Sequence, residues 1–493
     1  MPRIAIIGSG FSGLSAACYL SKEGYNVNVF EKNNAFGGRA RQLKTGNGYV
    51  FDMGPSWYWM PDVFENFFND FDYSVSDFYN LKLLDPSFEI VFSDQKIMVP
   101  SCYENLRQLF ESIEHGSSKK LDKFMQDAKF KYDIGMKKMA YKPGLSLSEV
   151  IDQDLISAAL KLQIFSSFSK HVRKYFSHPH LIALMEFPVL FLGAMPDETP
   201  ALYSLMNYAG LKLGTWYPQG GFGKVINAMT RLAEKQGAKF YLNSPVEKII
   251  VDEKRAIGVV VKGKEIKYDA VIASADYHHV EMDLLESANR NYDEQYWKKK
   301  TLAPSCLIFY VGLNKKIKSI QHHTLFFEED LQQHSKEIYK NPQWPTRPLF
   351  YVCCPSQTDG SVAPLGHENL FLLMPIAPDL EDTQQQRENY FSIMMKRFEK
   401  HIGQSILENI DFKKSYCVND FKFDYHSFKG NAYGLANTLK QTANLKPKMK
   451  NKKIGNLFYS GQFTVPGPGV PPSLISGKMA AEQLRKYFKN KKA

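Results

Sequence analysis

No stretch of this sequence reaches the roughly 18 consecutive apolar residues of a membrane-spanning helix. The nearest candidate, Leu181 to Met195, is interrupted by Glu186 and Pro188, so no spanning segment is expected. Cysteine is scarce. Six residues (Cys18, Cys102, Cys306, Cys353, Cys354 and Cys417) show no metal-ligand spacing, which fits reduced, buried thiols in a cytosolic protein. The adjacent pairs His278–His279 and His322–His323 lack an i+4 partner and an acidic neighbourhood. They read as surface or loop histidines, and no metal site is expected. Only Met1, Pro2 and Arg3 precede the first strand-like run, too few for a secretory signal. No nucleic-acid-binding module of the usual kinds is visible, so no nucleic-acid partner is expected. Acidic residues are the minority charge, 51 against 62 basic, leaving a formal +11. An anionic membrane surface or a solvated lysine-rich exterior accounts for that excess.

What is present begins with Ile4 to Lys32. The apolar run Ile4–Ile7 reads as a buried parallel strand, and Gly8-x-Gly10-x-x-Gly13 follows at once. A helical pattern (Leu14, Ala17, Cys18, Leu20) stops at Gly24, and a second strand, Val27 to Phe30, ends at Glu31. In such a βαβ unit Gly8 permits the tight turn, Gly10 lets a pyrophosphate reach the backbone, and Gly13 lets helix and strand pack closely. Free N–H groups at the helix N-terminus face the phosphates, and Glu31 is placed to accept from ribose hydroxyls. With 493 residues the chain holds two or three domains' worth of core. Its 35 Phe and 27 Tyr suit a large apolar cavity or an unusually aromatic interior.

Gly37-Gly38-Arg39-Ala40 forms a loop able to hug a cofactor, with Arg39 placed to meet phosphate. Together with Phe51-Asp52-x-Gly54-Pro55-Ser56, it resembles the N-terminal signature of flavin-dependent desaturases and amine oxidases, most closely the bacterial carotenoid desaturases of the phytoene-desaturase type. Trp216-Tyr217-Pro218-Gln219-Gly220-Gly221 is similar to the family's turn back into the flavin domain. The strand ending Ser274-Ala275-Asp276 departs from the family's Asn-Ala-Asp at its first position. Gly430 to Gly434 and Gln441 to Pro447 resemble later family elements, with Lys446 in place of Arg. The closing stretch, Gly461-Gln462 through Gly469-Val470-Pro471-Pro472-Ser473, leads into a helix; relatives usually have Ala at 468 and Gly at 472, where this chain has proline. Proline in a first helical turn is sterically allowed.

The resemblance implies an α/β fold: a Rossmann-like FAD-binding domain of the flavin amine oxidase and desaturase superfamily, with a discontinuous α+β substrate domain. The expected segments are 1–84, 215–300 and 424–493 for FAD, and 85–214 and 301–423 for substrate. It implies that FAD is held by Gly8, Ser9, Gly10, Phe11, Ser12, Gly13, Glu31, Lys32, Gly38, Arg39, Ala40, Gly54, Pro55, Ser56, Val246, Gly461, Gln462, Gly469, Val470 and Pro471. Trp57, Trp216 and Tyr217, beside flavin motifs, are expected to line the substrate or to pack around the cofactor. No catalytic acid or base is readable.

The implied reaction is dehydrogenation of an acyclic carotenoid, leaning to C3–C4 desaturation of a 1-hydroxycarotenoid. A phytoene desaturase, a flavin amine oxidase and a non-enzymatic isoprenoid carrier are the alternatives. Oxygen and a quinone are both open as electron acceptor. A lipid-soluble substrate suggests peripheral attachment to the inner face of the cell membrane. Three features offer themselves for it: the Phe stripe of Pro61 to Phe71, the Leu155 to Phe176 helix with its basic end, and the basic tail after Leu484. The first is otherwise core, and the second a covering helix of the substrate domain. The basic run Lys446 to Lys453 reads as an exposed loop.

Overall fold

The computed structural model describes residues 1–143 and 166–492. Its first strand, Arg3–Ile7, keeps Ile4, Ala5 and Ile6 fully out of solvent. It sits in the middle of a five-stranded parallel sheet ordered Leu457–Tyr459, Ala270–Ala273, Arg3–Ile7, Asn26–Phe30, Lys239–Tyr241. Ile6 is flanked by Ile272 on one side and Val29 on the other. A parallel sheet must be covered on both faces, and alternate side chains divide the work. Ile4 and Ile6 join Leu14, Val225 and Leu474 from the helices Phe11–Lys22, Phe222–Lys235 and Val470–Lys492. Ala5 and Ile7 face the three-stranded antiparallel sheet of Val246–Asp252, Arg255–Val261 and Lys264–Lys267, through Ile249 and Val259. The first and last helices cross so closely that a Cβ on Gly477 would lie 2.2 Å from the Ser12 carbonyl oxygen.

A second, seven-stranded sheet runs in the order Ile410–Tyr416, Ser305–Leu313, Glu368–Ile376, Phe350–Cys353, His323–Phe326, Phe88–Val91, Lys96–Val99. Neighbours are antiparallel except His323–Phe326 with Phe88–Val91. Period-two alternation again sorts its residues. Leu307, Phe309 and Leu372 pack on Met394, Met395 and Phe398 of the helix Gln384–Ile402. Cys306, Ile308, Leu325 and Tyr351 point the other way, toward the core shared with the first unit.

Several local expectations are corrected. In the helix Pro61–Asn69, Val63, Phe64, Phe67 and Phe68 are buried, and Phe71 after it is too, so this stripe is core and offers no surface to a lipid. The tail after Leu484 also packs its aromatic face, with Phe488 against Tyr25 and Arg485 paired to Glu23. The start of the Leu155 to Phe176 segment lies outside the described residues; within the rest, Phe168–Val172 is helical, and Phe168, Val172 and Phe176 are buried. The run Lys446 to Lys453 is not simply an exposed loop, since Lys446, Met449 and Asn451 are buried. Cys102 is the one exposed cysteine. His322 and His323 are buried, because His323 opens an interior strand of the large sheet. His278 is stacked on Phe428 and His279 on His426, with 3.9 Å between centroids in each pair.

Candidate functional site

A cavity of about 450 Å³ runs from the carboxyl edge of the parallel sheet to the inner face of the seven-stranded one. Ligands of open α/β sheets sit at that edge, and here the strand order brings Ile7, Ser274 and Ser460 to it together. The helix Phe11–Lys22 begins at Gly10 with no side-chain cap, leaving its first N–H groups facing the cavity. A Cβ on Gly10 would meet nothing within 4 Å, so this position opens onto the space a ligand would fill. Gly13 does the opposite: a Cβ there would lie 2.0 Å from the Gly8 carbonyl oxygen. It holds the turn together and is not part of the lining.

Glu31 ends the second strand and is buried. Its Oε2 accepts from the Ser9 N–H (3.0 Å) and the Ser9 hydroxyl (2.7 Å), and its Oε1 accepts from the Asn33 N–H (2.9 Å). A carboxylate offers about four acceptor sites, so one remains for a ligand hydroxyl. Lys32 donates to the Phe423 carbonyl (2.6 Å), and Val246 lies across the same end of the cavity.

Further in, Arg39 lies over the Tyr425 ring at 4.8 Å and donates through Nη2 to Ser427 Oγ (3.2 Å) and the Asn431 carbonyl (3.3 Å). Its Nε is buried without a partner. Burial pulls the guanidinium pKa down, opposed mainly by Asp276. Asp276, pushed up to about 6 by burial and held back chiefly by Arg39, caps the N–H groups of His278 (3.0 Å) and His279 (3.4 Å). Arg41 pairs with Asp424 beside them. Gly38, Ala40, Gly54, Pro55 and Ser56 form one wall; Gly461, Gln462, Gly469, Val470 and Pro471 form the facing one. The second wall is the N-terminus of the helix Val470–Lys492, more than 400 residues from the first.

The residues fit a dinucleotide with a second, distant head group. There is an uncapped helix N-terminus for a pyrophosphate, a buried carboxylate for a ribose, an orphaned buried donor in Arg39, and a second helix N-terminus where negative charge is favoured. Phe11, Ser12 and Ser9 complete the first end. FAD has both ends; a mononucleotide has one.

Beyond the Ser56 wall the lining becomes apolar: Phe187, Leu190, Met206, Leu325, Phe327 and Leu349. Trp57 belongs to it, stacked on His323. Trp216 and Tyr217 do not, because their strand pairs with Leu81–Leu83 and turns them away. Trp216 donates to the Leu213 carbonyl (2.8 Å), while Tyr217 reaches Asp359 (3.3 Å) and borders a separate void of about 10 Å³ with His322 and Cys353. Potential ligand atoms of His322, His323 and Cys353 lie within 4.8 Å of one another. Each imidazole is already engaged through Nδ1, His322 with Thr358 (2.7 Å) and His323 with Tyr351 (2.6 Å).

Sequence reasoning did not assign roles to Asp276, Tyr425, Tyr351, Tyr433 or the helix Leu331–Tyr339, all on the lining. Asp276 and Tyr433 stood inside recognised motifs, which was the available signal. His334 on that helix accepts from the Leu349 N–H (3.0 Å) and donates to the Pro375 carbonyl (2.8 Å); burial pushes its pKa down to about 4. With both nitrogens used, it is a neutral wall residue.

A profile of the flavin containing amine oxidoreductase family matches residues 11–485. A carotenoid 3,4-desaturase from Haloarcula japonica is 39% identical over 483 residues, spanning 98% of this chain and 97% of that protein. A zeta-carotene-forming phytoene desaturase from Myxococcus xanthus is 28% identical, spanning 98% and 93%. Among solved structures, an oxidoreductase from Methanosarcina mazei aligns with a TM-score of 0.63 at 17% identity, over 97% of this chain and all of that one. A putrescine oxidase bound to putrescine aligns with a TM-score of 0.61 at 13% identity, over 100% and 99%.

Proposed function

The chain belongs to the flavin containing amine oxidoreductase family, and from that premise we propose that it desaturates an acyclic carotenoid at C3–C4, on a 1-hydroxylated end group. FAD is the cofactor. The observation that carries the substrate class is the charge distribution in the cavity. In its described lining the carboxylates are Glu31, Asp276 and Asp424, all on the side of Lys32, Arg39 and Arg41. The far end is aromatic and aliphatic. An ammonium substrate would find no counter-charge there, whereas a polyene would bury apolar surface worth about 25 cal/mol per Å².

When bound, the flavin supplies a hydride acceptor. The protein's own residues do the rest. The walls at 54–56 and 461–471 hold the head group, and Trp57 with the apolar lining aligns a chain-like substrate. The described lining at that end offers no carboxylate. His334 is held neutral, and burial raises the pKa of Cys306, Tyr351 and Tyr433. A proton shed from a delocalised allylic cation therefore goes to water or to a weak neutral base, in keeping with a reaction that asks for no strong one.

Attachment to the inner face of the cell membrane belongs to the same proposal. Its support is the +11 charge and the substrate's lipid solubility; among the described residues no helix is long and apolar enough to cross a bilayer. Sedimentation with anionic liposomes, reversed by salt, is the expected result. The electron acceptor, oxygen or a quinone, is to be found by comparing turnover with each.

The deciding experiment incubates the FAD-loaded protein with phytoene, lycopene and a 1-hydroxylated acyclic carotenoid in parallel. A red-shifted product from the hydroxylated compound is expected. Conversion of phytoene alone would make the protein a phytoene desaturase instead.

A further inference from the structure

The helix Leu331–Tyr339 lays one face along the cavity: Leu331, His334, Ser335, Ile338 and Tyr339 all belong to the lining, at the spacing of a single helical stripe. Two of these carry hydroxyls a turn apart. Neither the Ser335 nor the Tyr339 hydroxyl makes a hydrogen bond to another of the described residues; Ser335 is 4% exposed, Tyr339 is half-buried, and both border the cavity. By contrast His334, between them, has both nitrogens satisfied. Each hydroxyl can donate and accept, so two open ones on one otherwise apolar stretch of the cavity wall mark a place where a ligand can supply the partner.

The position of this pair is informative. Tyr339 neighbours Cys306 and Tyr433 on the cavity wall. Gly434, the next residue, is pressed against Gln462, so that a Cβ on it would lie 2.8 Å from Gln462 Cγ. Gln462 belongs to the wall that holds the flavin end. The open hydroxyls therefore stand at the reactive end of the cavity, and a substrate group reaching them must be close to the reacting bond.

We propose that Ser335 and Tyr339 form a subsite for a single alcohol group carried by an otherwise apolar polyene, a few carbons from the bond that is oxidised. The inference rests on the desaturase reading and deepens it: in a 1-hydroxylated end group the oxygen-bearing carbon is separated from C3 by one carbon. One oxygen meets both partners, donating to one and accepting from the other. A substrate lacking it leaves both protein groups unpaired in an apolar wall, which is how sites built around a hydroxyl reject the analogue without it.

The test uses FAD-loaded protein, wild type and the variants Ser335→Ala, Tyr339→Phe and the double. Each is given a 1-hydroxylated acyclic carotenoid and its matched compound without the hydroxyl. Turnover is read by the absorption shift, and binding by quenching of tryptophan fluorescence. Each variant is expected to lower kcat/KM for the hydroxylated substrate by about 3- to 10-fold. The loss on the matched compound is expected to be smaller, and the double variant is expected to lose most of the preference. Equal losses on both substrates, or no loss, would overturn the subsite. If neither compound is oxidised the desaturase reading fails by itself; the binding preference, and its loss in Tyr339→Phe, still decides the subsite.

Discussion

The imidazole of His323 lies flat on the indole of Trp57, with ring centroids 4.1 Å apart and planes 10° from parallel. The contact joins the wall that follows the Gly54-Pro55-Ser56 turn to an interior strand of the large sheet. On the far side of the imidazole, Nδ1 sits 2.6 Å from the Tyr351 hydroxyl, which donates to Ser56 (3.0 Å). The three contacts close a ring around the cavity wall, and burial keeps His323 neutral within it.

Removing the indole breaks that ring. Trp57→Ala should cost about 3 kcal/mol of stability, at the low end for loss of a large aromatic because Trp57 is only half-buried. It should also raise KM for the polyene more than it lowers FAD affinity. Thermal unfolding of the holoenzyme and a KM comparison check the two parts; an unchanged KM would remove Trp57 from the substrate wall.

Two glycines three residues apart should behave oppositely. Gly10→Ala adds a methyl group to open space at an ordinary φ of −69°, so the protein should fold with a near-native melting temperature yet bind FAD poorly. Gly13→Ala places a methyl group 2.0 Å from a backbone oxygen and should lose soluble expression or most of its stability. Flavin content per folded protein, measured alongside circular dichroism, separates these outcomes.

Glu31→Gln retains the size of the side chain and halves its acceptors. The three hydrogen bonds from Ser9 and Asn33 need both carboxylate oxygens. Charge-assisted bonds are worth about 1.5–3 kcal/mol, so FAD should bind roughly 10- to 100-fold more weakly by fluorescence titration. A shift below threefold would mean that Glu31 only holds the turn.

Lys446 provides a pH test. Its Nζ is buried without a hydrogen-bond partner, and burial, with Lys300 adding repulsion, pushes its pKa down to about 7 from the ordinary 10.5. Between these two values the unfolded chain holds a proton that the folded chain has released, so stability gains with rising pH across that window. Lys446→Met should therefore raise the melting temperature most at pH 7, with the advantage shrinking toward pH 10. A gap that stays constant with pH would place the amine's titration elsewhere.

Much of the cofactor end was legible because glycine spacing, an acid at a strand end and a Gly/Pro-rich turn before a helix each report a local backbone requirement. Glu31, Arg39 and Gly461 need no knowledge of distant residues to be noticed. The substrate wall was not legible. His334, Ser335 and Tyr339 follow the same 3.6-residue stripe whether the helix faces a cavity or a packed core, and periodicity does not tell them apart. Tyr217 misled for the converse reason: nearness in sequence to a flavin motif says nothing about which way a strand pair turns a side chain. His322 and His323 looked superficial only because the strand that buries them pairs with residues near 90 and 352.

The strand Leu457–Tyr459 and the helix Val470–Lys492 complete a site that starts at Gly8. During synthesis the chain emerges from its N-terminus, so the first glycine turn waits through most of translation with half of its binding wall unmade. A flavin held by both walls would bind only once the helix Val470–Lys492 has docked on Phe11–Lys22.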